Sequence, residues 1–252
     1  MNYSIAIPSY KRAERINKAT LKLIVDNNLQ DKKIYVFLNT QEDVDEYKAV
    51  ARDDLEIEYV IHGQTGIMAT RNYMTKFFDE GTRVLYLDDD FTGIQMGEPE
   101  GRRTKKVFNL GELADQGFSL CQLRGLGKWG LNPSQNCRSL KKVEPTFDLR
   151  YIGGCYGEIV NHQVENTVSY AEDFERTIQY YILYGGVVRF NNYSVMTRNY
   201  AKGGLQAFGR NLENEKADKE AIANKYPAYA KTYTRTEGSG RTDIRLYKKP
   251  KL

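Results

Sequence analysis

Strand-like and helix-like segments alternate over the first 90 residues of this chain. In chain order, with a strand first, these segments are residues 3–7, 13–27, 33–38, 42–52, 56–61, 65–78 and 83–87. Because consecutive strands that are joined through a helix run parallel, this order predicts a mostly parallel sheet with helices on its faces. Ligands of such sheets bind beyond the carboxyl ends of the strands, so the residues that follow each strand are the first site candidates.

The pattern becomes α+β after Phe91. It predicts a helix at residues 109–124 and a loop at residues 128–133. Strands are predicted at residues 148–152, 156–160, 187–190 and 193–196, and a further helix is predicted from residue 170 onward. Ser169 and Glu172 have the spacing of a capping box for that last helix. We find no internal repeat, so we expect one α/β domain over residues 1–200 and a C-terminal extension over residues 201–252.

Positive charge is concentrated at the C-terminus. The whole chain has a net charge of +4, whereas residues 199–252 contain 12 Lys and Arg against 6 Asp and Glu. Five tyrosines are interleaved with these cations: Tyr200, Tyr226, Tyr229, Tyr233 and Tyr247. Such a surface is typical of proteins that neutralise phosphates and stack on bases, although a solvated tail has the same composition.

Membrane-spanning and disulfide-rich proteins are disfavoured by the sequence. No apolar run approaches the roughly 20 residues that cross a bilayer, and the first residues do not resemble a signal peptide. The three cysteines, Cys121, Cys137 and Cys155, are odd in number and form no CxxC pair, which argues against a disulfide framework and a zinc site. We therefore expect a cytoplasmic protein.

Three adjacent aspartates, Asp88, Asp89 and Asp90, follow the fourth predicted strand. Their mutual repulsion is relieved most easily by a cation between them. Oxygen ligands without His or Cys suit Mg²⁺ or Mn²⁺, which usually bridge one or two carboxylates to phosphate oxygens. The triplet thus predicts a metal site and a substrate with a diphosphate; an acidic surface turn without function is the alternative.

An arginine interrupts the apolar stripe of the helix before that strand. Arg71 lies between Ile67 and Met74 on the face formed with Phe78. A guanidinium on a core-facing stripe requires a partner. Arg71 is therefore either part of a structural ion pair or a contact to a ligand phosphate or to the aspartates.

Several motifs follow one another in an order that is specific for a family. Residues 7–12 (IPSYKR), 66–72 (GIMATRN) and 87–90 (LDDD) resemble the donor half of GT-A nucleotide-sugar glycosyltransferases. Residues 129–133 (WGLNP) with Asn136, residues 148–154 (DLRYIGG) and residues 172–174 (EDF) resemble phage glycosyltransferases associated with TET/JBP-type base hydroxylases. That group is thought to glycosylate hydroxymethylated pyrimidines in DNA. The resemblance covers roughly residues 3–200, with a nucleotide-sugar half at 1–98 and an acceptor half at 99–200.

The resemblance implies roles for particular side chains. The nucleotide sugar, most readily a UDP-sugar, would contact Pro8, Tyr10, Arg12, Asn39, Arg71, Asn72, Asp88 and Asp89. Arg71 and Asn72 could instead hold the metal loop. Asp90, with Asp88, would bind Mn²⁺ or Mg²⁺, and His162 is a further candidate ligand. Tyr10 as a packing residue, Arg12 as a surface cation and Asn39 as a turn or cap residue are the structural alternatives.

The resemblance also implies an acidic catalytic pair, Glu172 and Asp173. In the inverting members of the family a carboxylate of this pair takes the proton of the acceptor hydroxyl, so Asp173 is the expected general base. Glu172 has the structural alternative of the capping box. The expected acceptor contacts are Trp129, Asn136, Arg102 and Arg103. The structural alternatives are that Trp129 is a core residue and that the two arginines belong to a solvated loop.

Four functions remain open at this stage. The first is transfer of a hexosyl or pentosyl group to a hydroxymethylated pyrimidine in DNA, or to a sugar already on it, with inversion of the anomeric configuration. The second is the same transfer to a glycan, lipid or protein. The third is a non-catalytic nucleic-acid-binding module, and the fourth is nucleotidyl transfer.

Overall fold

The computed structural model describes residues 1–197, 211–234 and 241–247. The first ninety residues contain β1 (Ser4–Pro8), α1 (Ala13–Lys18), α2 (Thr20–Asp26), β2 (Ile34–Leu38), α3 (Gln41–Ala49), β3 (Ile57–Ile61), α4 (Ile67–Phe77) and β4 (Arg83–Tyr86). This confirms the predicted alternation of strands and helices. The helix predicted at residues 13–27 is divided into α1 and α2 because the backbone of Ala19, at φ −117° and ψ −98°, leaves helical geometry.

The second half is α+β, as predicted. It contains β5 (Phe91–Gly97), β6 (Thr104–Val107), α5 (Leu110–Arg124), β7 (Lys128–Leu131), β8 (Tyr156–Ile159), α6 (Glu172–Tyr184), β9 (Val188–Phe190) and β10 (Tyr193–Thr197). The C-terminal segments form α7 (Leu212–Lys225), β11 (Ala230–Thr234) and β12 (Thr242–Leu246). Among these described segments, no helix is long and apolar enough to cross a membrane.

A seven-stranded sheet with the order β3-β2-β1-β4-β8-β7-β9 organises the molecule. β1 pairs in parallel with β2 and β4, β2 with β3, and β7 with β9, whereas β8 is antiparallel to both β4 and β7. The carboxyl ends of β1, β2, β4, β7 and β9 and the amino end of β8 therefore share one side of the sheet, which we call the carboxyl rim. Two smaller antiparallel sheets, β10-β5-β6 and β11-β12, accompany it.

The C-terminal segments pack on residues of the second half of the domain through an apolar cluster. Ile222 of α7, Ala230 of β11 and Ile244 of β12 are buried in it. The same cluster contains Leu149, Val168, Ala171 and Ile178. The described part of the basic extension is thus attached to the domain, while Tyr200 lies outside the described residues.

Three local predictions are wrong. Residues 128–131 form β7 instead of a loop, and all four are buried. Residues 148–152 form no strand. No Ser169 capping box exists, because α6 begins at Glu172 without a side-chain cap and the backbone N–H of Ser169 donates to Asp218 instead.

A buried ionic triad joins β7, β8 and α6. Glu158 accepts hydrogen bonds from Lys128 Nζ at 2.7 Å and from Arg176 Nε and Nη2 at 2.7 and 2.5 Å. All three side chains are at most 1% exposed. Burial favours the neutral acid, but the two cations outweigh it and lower the pKa of Glu158 to about 2.

Candidate active site

The acidic triplet lies at the carboxyl rim, directly after β4. Its middle member, Asp89, is an internal residue, 5% exposed. Asp89 Oδ1 accepts a hydrogen bond from Arg12 Nη1 at 2.7 Å, and Oδ2 accepts one from Ser9 Oγ at 2.6 Å. Both oxygens of Asp89 thus hold the β1 and β4 ends together, and its predicted contact with the sugar stays a prediction.

Asp88 is open on one side. Arg71 Nη2 donates to its Oδ1 at 2.5 Å, while the side chain of Asp88 is 40% exposed. Within the described part of the chain, Oδ2 accepts no hydrogen bond. Burial, only partly offset by Arg71, raises the pKa of Asp88 to about 6. Gly154 leaves the space for this carboxylate, because a Cβ at that position would overlap Oδ2.

Arg71 takes the structural role that its helix position allows. Its side chain is 4% exposed and pairs with Asp88, so it positions the acidic loop. Direct contact with a nucleotide, the other predicted role, does not fit this burial. Asn72 also turns inward: its Nδ2 donates to the carbonyl of Asn166 at 2.9 Å and its Oδ1 accepts from the N–H of Asn166 at 2.8 Å. Asn166 thus occupies the polar atoms of Asn72 in the structure, and the predicted role of Asn72 at the nucleotide or the metal loop stays a prediction.

Asp90 faces two cations. Its Oδ2 lies 3.3 Å from Arg15 Nη2 and 3.8 Å from Arg12 Nη1. Its Oδ1 accepts no hydrogen bond from any described residue. Arg15 was not among the predicted site residues, although its position one helical turn after Arg12 could have suggested it.

Asp88 and Asp90 provide a donor set that fits Mg²⁺ or Mn²⁺. Each has one carboxylate oxygen without a hydrogen bond, and such ions need only one or two protein carboxylates when phosphate and water complete the shell. No cluster of three His, Cys, Asp or Glu side chains suited to a metal occurs in residues 1–197, 211–234 and 241–247. Phosphate oxygens would therefore have to complete the site.

His162 cannot join these ligands. It follows β8, whose antiparallel register places Ile159 opposite Arg83 at the amino end of β4. Its Nε2 lies 2.9 Å from the carbonyl oxygen of Phe78, and its Nδ1 lies 3.5 Å from Glu80. The predicted metal role of His162 is wrong because the residue lies on the side of the sheet opposite the carboxyl rim.

The remaining predicted donor residues border the carboxyl rim. Pro8 ends β1 and is buried, Tyr10 is half-buried, and Asn39 follows β2. Thr40, and not Asn39, caps α3 by accepting a hydrogen bond from the N–H of Asp43 at 3.2 Å. Whether Pro8, Tyr10, Arg12 and Asn39 contact a nucleotide stays a prediction.

Glu172 and Asp173 begin α6 next to the acidic loop. Burial, and then the charge of Asp173, raise the pKa of Glu172 to about 8; Asp88 acts in the same direction and Arg71 against it. Burial also raises the pKa of Asp173. The charge of Asp88 thus influences Glu172, although the two residues come from distant segments of the chain.

Asp173 is held in a defined orientation. Its Oδ2 accepts a hydrogen bond from the hydroxyl of Tyr151, and its Oδ1 accepts one from the N–H of Phe174 at 2.9 Å. The rings of Tyr151 and Phe174 stack with centroids 3.7 Å apart and an interplanar angle of 2°. Glu172, in contrast, accepts no side-chain hydrogen bond from a described residue. Tyr151 is therefore a site residue that sequence reasoning did not single out, although it lies in the DLRYIGG motif.

The predicted acceptor residues do not meet at this site. Trp129 is fully buried between Phe118 and Phe190, so its predicted acceptor contact is corrected in favour of a core role. Asn136 is exposed and its side chain accepts a hydrogen bond from the N–H of Arg138 at 3.0 Å. Arg102 and Arg103 are exposed at the start of β6. The acceptor roles of these last three residues stay predictions.

A cavity of about 500 Å³ opens beside Asp173. One wall consists of residues 149–151, the start of α6 and Arg189 of β9. The other wall comes from α7, β11 and β12. Sequence reasoning missed this cavity because its two walls are distant in the chain.

Solved structures with this architecture are known, although no protein-family model and no curated protein matches the sequence. The mannosyltransferase PcManGT from Pyrobaculum calidifontis, in complex with GDP-Man and Mn²⁺, matches with a TM-score of 0.61 and 14% identity. The match covers 90% of this chain but only 64% of that chain, so this chain spans less than two thirds of PcManGT.

Two further enzymes match over almost the whole chain. Mannosyl-3-phosphoglycerate synthase from Rubrobacter xylanophilus has a TM-score of 0.54 and 12% identity, over 99% of this chain and 85% of that one. Glucosyl-3-phosphoglycerate synthase from Mycobacterium tuberculosis, in complex with phosphoglyceric acid, has a TM-score of 0.52 and 11% identity, over 98% of this chain and 87% of that one.

The chain has the GT-A fold. The predicted fold class is thereby confirmed, including the mostly parallel central sheet. At these identities the likeness concerns the fold alone. The DNA acceptor predicted from the later motifs is not addressed by these structures and stays a prediction.

Proposed function

We propose that this protein is a metal-dependent glycosyltransferase that moves a sugar from a nucleotide sugar, most readily a UDP-sugar, to an acceptor hydroxyl. The observation that carries the proposal is the arrangement of two acidic segments at the carboxyl rim of a GT-A fold: Asp88 lies against Gly154, and Tyr151, which lies against the adjacent Gly153, donates a hydrogen bond to Asp173. Residues 1–98 would bind the donor. Residues 99–200, extended by α7, β11 and β12, would bind the acceptor.

Asp88 and Asp90 would hold Mg²⁺ or Mn²⁺ in this enzyme. When bound, the ion neutralises charge that develops on the leaving diphosphate. Arg71 keeps the Asp88 carboxylate in place, and Arg12 fixes the loop through Asp89. The geometry of the acidic loop thus depends on the chain and not on the ligand.

Asp173 would act as the general base. It removes the acceptor hydroxyl proton while that oxygen forms a bond to the anomeric carbon and the bond from this carbon to the diphosphate oxygen breaks, with the electron pair leaving on the diphosphate. Displacement in one step inverts the anomeric configuration. Tyr151 orients the carboxylate, and Glu172 shares the titration of the pair. Because the base must be ionised, the rate should rise as pH rises through the pKa of Asp173.

The acceptor we propose is a hydroxymethylated pyrimidine in DNA or the sugar that it already carries. The support is the resemblance of residues 129–136, 148–154 and 172–174 to DNA base glycosyltransferases, together with the basic residues of the C-terminal segments. A base in a duplex would have to be extruded, at a cost of a few kcal/mol.

The test incubates the full chain with Mn²⁺ or Mg²⁺, a panel of nucleotide sugars and hydroxymethylated DNA, and then weighs the digested nucleosides. We expect the modified nucleoside to gain the mass of one sugar, and the Asp90→Asn variant to lose this product. Asp45→Asn, a change of an exposed carboxylate on α3, is the control. Absence of both transfer and donor hydrolysis with every donor would exclude the enzyme; donor hydrolysis without DNA product would exclude only the acceptor.

A further inference from the structure

Two arginines, Arg150 and Arg189, line the cavity beside Asp173 without a carboxylate partner among the described residues. Arg189 Nε donates to Asn191 Oδ1 at 3.0 Å, and its Nη1 donates to the carbonyl of Tyr151 at 3.4 Å. The Nε of Arg150 is buried and has no hydrogen-bond partner in the described residues. Neither guanidinium lies within 4.0 Å of a described carboxylate, so the partners that the chain supplies are neutral.

The two guanidinium groups also act on each other. Burial, and then the charge of Arg150, lower the pKa of Arg189 to about 10. A cation is desolvated here beside a second cation, which is unfavourable in the free protein. An anion placed between them would remove that cost.

The acids of the same cavity already have partners. Glu215 is paired with Arg241 and lies 3.7 Å from Lys219 Nζ. Asp243 lies 3.8 Å from the same Lys219. Glu215 and Asp243 are thus engaged by Arg241 and Lys219 of the C-terminal wall, whose further cation, Arg245, lies over the ring of Tyr233. Arg150 and Arg189 of the opposite wall have no described carboxylate within 4.0 Å. Asp173, the remaining acid of the cavity, is bound by Tyr151.

We propose that Arg150 and Arg189 bind a phosphate group of the acceptor and thereby place the acceptor hydroxyl at Asp173. Guanidinium forks match phosphate oxygens in a bidentate manner, and a cavity of about 500 Å³ accommodates a unit the size of one nucleotide. The inference rests on the proposed function for the hydroxyl at Asp173, but phosphate binding itself does not require transfer. The phosphate belongs either to a small phosphomonoester or to the backbone of a nucleic acid.

The first experiment measures binding of inorganic phosphate to the full chain by calorimetry, without donor or metal and at constant ionic strength. We expect Arg189→Gln and Arg150→Gln each to weaken binding roughly 10- to 100-fold, because each removes charged hydrogen bonds. Arg52→Gln is the matched control, since Arg52 is bound to Asp54 on the surface. Arg189→Lys, which keeps the charge but not the fork, should lose part of the affinity and decides the matter if Arg189→Gln does not fold.

Equal phosphate affinity in the wild type and in all folded arginine variants would overturn the inference. So would a wild type that releases no heat with phosphate. Circular dichroism and thermal unfolding of each variant separate a lost site from a lost fold.

A second experiment identifies the source of the phosphate. Displacement of inorganic phosphate by a hydroxymethylated nucleoside 5′-monophosphate, with weaker displacement by an oligonucleotide without terminal phosphate, indicates a monoester; the reverse order indicates a backbone phosphate. A nucleoside without phosphate that competes equally well contradicts the proposal. If phosphate binding depends on the arginines but no sugar is transferred, the proposed function fails alone. If transfer occurs and Arg189→Gln leaves the acceptor KM unchanged, the phosphate subsite fails alone.

Discussion

The molecule contains two groups of desolvated cations that differ in what neutralises them. Lys128 and Arg176 share Glu158 in the interior, where all three side chains are almost completely buried. Arg150 and Arg189 line an open cavity and share no described carboxylate. The first group is complete without a ligand, and the second is not.

This difference separates charges that hold the fold together from charges that await a ligand. Removing one partner from a complete buried group leaves an uncompensated charge in the core, whereas removing one member of a like-charged pair relieves repulsion. Substitutions in the two groups should consequently have opposite effects on stability and on binding.

The largest effect is expected from Glu158→Gln. The change leaves Lys128 and Arg176 buried without a counter-charge, and we expect the free energy of unfolding to fall by about 3–5 kcal/mol. Urea unfolding followed by circular dichroism measures it. Glu14→Gln, which removes an exposed partner of Lys18, should change stability by less than about 0.5 kcal/mol. A loss below about 1 kcal/mol for Glu158→Gln would remove the distinction between the two groups.

Asp173→Asn tests the cavity side of the comparison. Asparagine can still accept the hydrogen bond from Tyr151 but cannot take a proton, so kcat should fall about 10²- to 10³-fold while the fold is retained. Single-turnover transfer or donor hydrolysis measures the rate. Retention of most of the rate would assign the base to another group, and Glu172→Gln would then be the next variant.

Glu172→Gln should change the dependence of stability on pH. The folded-state pKa of about 8 lies above the usual value, so the folded wild type holds a proton that the unfolded chain releases, and stability is lost as pH rises from about 4.5 to 8. For one proton, the free energy of unfolding cannot fall by more than about 1.4 kcal/mol per pH unit. Thermal unfolding between pH 5 and 9 should show that the stability of the variant, relative to the wild type, increases with pH. Parallel plots of stability against pH for the two proteins would contradict the raised pKa of Glu172.

Arg189→Gln should have the smallest effect on stability. It removes one of two neighbouring positive charges but also the bonds to Asn191 and Tyr151, so we expect between no change and a gain of about 1 kcal/mol at low ionic strength. Unfolding midpoints at low and high chloride measure it. Destabilisation comparable to that of Glu158→Gln would make the arginine pair structural.

The donor side of the protein was predictable because its signals are local. Strand and helix periodicities alternate there, and the rule for ligands at strand ends locates Asp88 and Asp90. The contacts of Asp89 and Asn72 were not predictable, because Asp89 binds Ser9 and Asn72 binds the backbone of Asn166. Neighbouring aspartates with the same sequence context thus have different roles.

The acceptor side was predicted less well because its signals are not local. The four residues of β7 are all buried, so they show no alternation, and the Gly and Pro around Trp129 suggested a loop. Arg150 and Arg189 are 39 positions apart, and the segment of Arg150 meets β9 through the bridge between Thr146 and Arg189 and the hydrogen bond from Arg189 to the carbonyl of Tyr151. No pattern within a short window contains that information.

The two walls of the cavity have a consequence for redesign. A protein that ended at residue 197 would keep the acidic loop, Asp173 and both arginines, but it would lack the face that α7 and β12 provide. Under the proposed function, exchanging residues 211–247 for another module should alter which molecule receives the sugar and leave the acidic loop and Asp173 unchanged.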